Sequence, residues 1–111
     1  MRPTLLAALL MLPAASLAQA QTPVECRQVL DITNWSSEFS RGYFTNRVDL
    51  RNISQGRIAV THRFSDGGEI ISPASELAPN GFTRRELART ANRLAVSALQ
   101  SKTTLTCVVM P

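Results

Sequence analysis

Two cysteines, one histidine and a short run of aromatic residues are the side chains here with chemistry to offer. Cys26 and Cys107 stand near opposite ends of the chain, and neither has a Cys-x-x-Cys neighbour or a histidine at metal-ligand spacing. A structural disulfide is therefore expected rather than a redox or zinc site. In the chain-entropy picture a closed loop of about 80 residues stabilises the fold by ~4.5 kcal/mol. His62, the sole histidine, shares its parity with Val60 and Phe64, so it reads as a hydrogen-bonded core or edge residue rather than a catalyst. The serines lie in turn-like contexts and the eight carboxylates show no distinctive pairing. Asp66 and Glu69 are too sparse for a calcium loop, and Asp66-Gly67-Gly68 lacks the length and following lysine of a phosphate loop. The expectation is a protein that is not an enzyme, with no catalytic residue, metal site or cofactor.

What remains is the segment Asn34–Phe44 (NWSSEFSRGYF), which holds four of the six aromatic residues in a polar, turn-like context. As a loop it would offer Trp35, Phe39 and Tyr43 to a protein or glycan, since binding residues often sit on loops. The competing expectation is that Trp35 and Phe44 cap the core while Phe39 pins the loop. Asn34-Trp35-Ser36 and Asn52-Ile53-Ser54 also fit the N-glycosylation pattern.

The net charge of +4 comes almost entirely from arginine, Lys102 being the only lysine. Acids interleave with these arginines, as in Arg47, Asp49 and Arg51, and the one cluster (Arg84, Arg85, Arg89, Arg93) contains no aromatic residue. This is a solvated charge pattern, not a nucleic-acid stripe.

The elements that position these groups begin after residue 20. Arg2, the apolar run Leu5–Leu12 and Ala18-Gln19-Ala20 have the three parts of a secretory signal peptide spanning residues 1–20. Its apolar run is shorter than the ~20 residues a membrane span needs, and no comparable run follows. Residues 21–111 are then one exported domain, periplasmic or extracellular, with no membrane span in the mature chain and no lipobox cysteine.

Period-two alternation recurs, the sign of half-buried strands. One strand is expected through Val24, Cys26, Leu30 and Ile32, and a second through Phe44, Val48 and Leu50. A third runs through Ile58, Val60, His62 and Phe64, and the last through Leu105, Cys107 and Val109. Asn52–Gly56 reads as a short hairpin loop whose glycine supplies a positive φ, and Asp66-Gly67-Gly68 and Pro79-Asn80-Gly81 as turns. Ile70 and Ile71 suggest a short fourth strand. Thr83–Gln100 supports two readings. Thr83 and Glu86 have capping-box spacing and Leu87, Ala91, Leu94, Ala95, Ala98 and Leu99 recur helically, which gives a helix at about 84–99. Alternatively, the turn at 77–81 leads into a strand over Phe82–Leu87, with a helical turn near Ser97–Ser101. The fold class is mainly β: a small antiparallel β-sandwich of six or seven strands closed by one disulfide, or α+β if the helix forms.

Val48–Ser54 followed by Ile58–Asp66 resembles a pattern of bacterial secreted immunoglobulin-like and fibronectin type III-like sandwiches, in which an Asn-x-Ser turn separates two strands. The order Cys26, Trp35, Phe39, Val48, Asn52, Cys107 is also similar to family 2 carbohydrate-binding modules. That likeness implies glycan stacking on Trp35, although the further platform tryptophan of that family has no counterpart after Gly67-Gly68. The function expected is a non-catalytic domain binding a macromolecule, foremost a protein, through segment 34–44 or a sheet edge. A carbohydrate-binding module using Trp35 and a secreted enzyme inhibitor are the alternatives.

Overall fold

The computed structural model describes residues 21–65 and 70–111. The leader read at 1–20 and the turn read at Asp66-Gly67-Gly68 lie outside the described residues. The described elements are β1 (Thr22–Val24), α1 (Cys26–Val29), β2 (Leu30–Ser40), β3 (Tyr43–Asn52), β4 (Ile58–Phe64), β5 (Ser75–Leu77), β6 (Phe82–Thr90), α2 (Val96–Lys102) and β7 (Thr103–Val109). They form two antiparallel sheets, ordered β1-β7-β4-β5 and β2-β3-β6, in a mainly β, sandwich-like fold. The alternation expected in β3 and β4 holds. Val48 and Leu50 from one sheet meet Ile58, Val60 and Phe64 from the other, joined by Leu77, Leu87 and Leu99.

Residues Val24–Ile32 do not make one strand. β1 pairs with β7 and β2 with β3, so the chain changes sheets over α1. Cys26 sits on that helical crossing rather than on a strand. The expected disulfide to Cys107 is formed, with the two Cα atoms 5.3 Å apart, and it ties the crossing to β7.

Asn52–Gly56 is likewise a crossing between sheets and not a hairpin loop, because β3 and β4 belong to different sheets. Gly56 takes no positive φ. The turn is built instead around the buried Asn52 side chain. Its Nδ2 donates to Gly56 O (2.8 Å) and Leu77 O (2.9 Å), and its Oδ1 accepts from Ser54 N (2.9 Å) and Ser54 Oγ (2.7 Å). An amide nitrogen so buried and committed is closed to glycosylation in the folded state.

Ile70 and Ile71 form no strand; the short strand beside β4 is Ser75–Leu77. The helix read at 84–99 is absent too, and the strand reading is realised. Pro79-Asn80-Gly81 turns the chain back, with Asn80 at φ 66° and a Gly81 whose added Cβ would come within 2.8 Å of Ala78 O. β6 then pairs antiparallel with β3 from Arg51↔Phe82 to Phe44↔Thr90. A β-bulge between Asn46 and Arg47 leaves Leu87 unpaired, so Leu87 and Ala88 are both buried. Two adjacent buried residues after an alternating stretch imitate helical spacing in the sequence. The helical turn falls at Val96–Lys102 and buries Leu99.

Reducing the disulfide, or substituting Cys26→Ser with Cys107→Ser, is expected to lower the unfolding free energy by about 2–5 kcal/mol. Urea denaturation with and without reductant measures this as a fall in midpoint.

Candidate functional site

Segment 34–44 is the distal half of a β-hairpin and not a loop. β2 and β3 pair from Leu30↔Asn52 to Ser40↔Tyr43 and are joined by Arg41-Gly42 alone. Both connecting residues have positive φ, 57° and 90°, the signature of a type I′ turn that matches strand twist. Arginine is unusual there, because a Cβ disfavours the left-handed region.

A bulge on β2 sets where the aromatic rings go. Thr33 pairs with Asp49 and Ser36 with Arg47, so Asn34 and Trp35 together face one residue of β3. Asn34 absorbs the extra length at φ 53°. The inward parity therefore changes from Leu30 and Ile32 to Trp35, Ser37 and Phe39. Asn34 Nδ2 donates to Asp49 Oδ2 (2.9 Å), and Arg84 from β6 completes the group with Nε to Oδ1 (2.7 Å) and Nη2 to Oδ2 (3.1 Å). Only 2% of the Asp49 side chain is exposed, although it stands on the outer face of the sheet, while Arg84 remains 60% exposed. Its cover is a layer of neighbouring side chains, not the core. Hydrogen bonds from Arg84 and then Asn34 hold its carboxyl below the ordinary value, against the opposing effect of burial.

The three candidate residues occupy three settings. Half-buried Trp35 lies at the margin of the core, lining one cleft with Ile32 and Leu105. It walls two adjoining hollows of about 270 and 320 Å³ that also share Arg27, Ile32 and Gln100. These volumes are sufficient for a side chain or ring. Trp35 thus sits in a concavity, not on a flat exposed row. Phe39 has the same parity but is 63% exposed, edge-on to Phe44 at 5.3 Å between centroids. Tyr43 belongs to the opposite face, where the Arg89 guanidinium lies 4.9 Å from its ring. Arg93 lies 5.1 Å from the Phe44 ring and donates from Nη1 to Ser37 O (2.7 Å), fastening the 91–95 loop to the hairpin. The structure groups Phe39 with Phe44 and Arg93 at the tip, and leaves Trp35 apart in its cleft. These arginines carried no sequence signal of a site, since their partners lie more than forty positions away.

His62 is a bridge between the sheets. Arg85 Nε donates to its Nδ1 (2.7 Å), so the proton is on Nε2, which donates to Leu87 O (2.8 Å). Arg85 is itself buried and also donates to Ser75 Oγ (2.7 Å) and Pro73 O (3.0 Å). Burial lowers its pKa from the ordinary arginine value. Among the described residues no three of His, Cys, Asp or Glu gather at metal-binding distance. No protein-family model matches the chain, and no curated protein or solved structure matches it significantly.

Two outcomes are expected. Because the native state depresses the Asp49 pKa, its stabilisation is present above the unfolded-state value and is lost as pH falls through the native one. Urea midpoints between about pH 5 and pH 2 should therefore fall less steeply in Asp49→Asn than in the parent. Arg41→Asn, which accepts the left-handed turn conformation more readily, should raise stability by about 0.5–1 kcal/mol in the same assay.

Proposed function

We propose that this chain is an exported, non-catalytic domain that binds a partner protein through the tip of the β2–β3 hairpin. The observation that carries the reading is Phe39, 63% exposed yet held against Phe44 on a strand closed by a two-residue turn. Exposed aromatic rings with arginines beside them are the composition of protein-binding hot spots. The tip combines Phe39, Phe44 and Arg93 on one side with Tyr43 and Arg89 on the other, and Arg41 at its apex. A tight hairpin has little conformational freedom left to lose, which lowers the ordering cost of association. Two features support the non-catalytic and exported parts of the reading. Both ring nitrogens of His62 are committed to structural hydrogen bonds. The disulfide suits an oxidising compartment.

A photo-crosslinking residue at position 39, compared with one at exposed Gln55, tests this in the native cells. A discrete protein adduct from position 39 alone is expected, and the same adducts from both positions, or none, would refute the reading. With the partner in hand, Phe39→Ala should weaken binding about 30-fold, the scale of a hot-spot residue, while leaving the urea midpoint unchanged.

A further inference from the structure

The edge of the second sheet offers a site separate from the hairpin tip. β2 is outermost in the order β2-β3-β6, and its middle is guarded. Arg93 occupies the outward carbonyl of Ser37, and the bulge at Asn34–Trp35 interrupts the strand. Both are usual protections of a sheet edge. Leu30–Thr33 has neither. Asn52 sends its N–H to Gly81 O and receives Asn80 N–H at its carbonyl, both on the side away from β2. Its antiparallel partner Leu30 is thereby a residue whose backbone groups also face away from β3, and the two-residue period places those of Ile32 on the same free edge. The Leu30 N–H is taken by Cys26 O and Leu30 itself is buried, which leaves both backbone groups of the partly exposed Ile32.

Beside this stretch lies the Trp35 cleft, with walls from Ile32 and Trp35 on β2, Leu105 on β7, Gln100 on α2 and Arg27 on α1. Exposed Arg27 makes no hydrogen bond or ion pair among the described residues, unlike Arg47, Arg57, Arg84 and Arg89, which each hold a carboxylate. Glu25 stands at the same mouth, which favours a single carboxylate over a run of acids.

We propose that Leu30–Thr33 accepts an extended segment of a partner protein as an added strand, with one aspartate or glutamate side chain entering the Trp35 cleft to pair with Arg27. Main-chain hydrogen bonds at Ile32 supply affinity and the cleft supplies the side-chain preference. The proposal rests on the reading that the domain binds protein, but not on the hairpin tip being the site.

The test uses the oxidised domain, its backbone amide spectrum and its single tryptophan emission. Synthetic heptapeptides alternating threonine and valine, with glutamate, glutamine or lysine at the centre, are titrated to millimolar concentration beside soluble oligosaccharides. The glutamate peptide should shift the Ile32 amide and the Trp35 signals, and bind about tenfold tighter than the lysine peptide, the size of one charge-assisted contact. Arg27→Glu, a change at an exposed position, should invert that order, while Phe39→Ala should leave it intact. Absence of any peptide shift, or Trp35 shifts with oligosaccharides only, overturns the proposal. Peptide binding lost in Phe39→Ala but indifferent to Arg27→Glu overturns it while the hairpin reading stands. The inverted order in Arg27→Glu, together with no adduct at position 39, would keep the edge site and remove the tip.

Discussion

The two sheets depend on the corner at Asn52. The residue is fully buried at the end of β3, where the chain leaves one sheet for the other. Its side-chain amide fastens the crossing to Gly56 and β5 to β3 through Leu77 O, while its backbone binds Asn80 and Gly81 in the turn that starts β6. Every polar group of one residue is thus used, and its bonds reach three segments: the crossing at Ser54–Gly56, β5 at Leu77, and the turn at Asn80-Gly81. A buried amide is tolerable on these terms only, since any bond left unmade would cost about 1–3 kcal/mol of desolvation. The crossing, the short edge strand and the start of β6 are specified together or not at all.

A second group, Asp49 with Arg84 and Asn34, plays the same part for the aromatic residues. The bulge at Asn34 moves Trp35 to the inward face, and the carboxylate of Asp49 anchors Asn34 across the sheet. Arg84 reaches the same carboxylate from β6, so all three strands of the sheet meet at one ion pair. The placement of the cleft is therefore set on the far side of the sheet from the cleft itself. The tip is arranged differently. Arg93 and Arg89 come from the segments after and within β6 and lie over rings of β3.

How much of this was legible follows from how local the cause was. The disulfide was legible because two cysteines without metal-ligand neighbours have one common use. The alternation of β3 and β4 was legible because burial on one face writes a period of two into the chain. Residues 84–99 misled in one of their two readings because the unpaired Leu87 puts two buried residues side by side, and only the partner strand β3 reveals that as a bulge. The division of Val24–Ile32 was hidden for the same kind of reason. Cys26, Leu30 and Ile32 keep one parity whether the chain runs straight or turns once through α1. The roles of Trp35, Phe39 and Tyr43 were legible only as a group. Their separation onto a cleft, a tip and an outer face depends on Asp49 and Arg84, thirty-five positions apart in the chain.

The position of the disulfide also decides how this domain would carry load. Cys26 and Cys107 lie 81 residues apart in sequence and 5.3 Å apart in space, close to the two strands at the chain ends. Tension applied to both termini passes from β1 through the sulfur–sulfur link to β7 and bypasses the intervening strands. About 280 Å of contour, at ~3.5 Å per residue, stays locked behind a covalent bond. Strung between tethered neighbours, the domain would behave as a short inextensible link, its hairpin and cleft unchanged in shape under a pull that would unravel a sandwich without that bond.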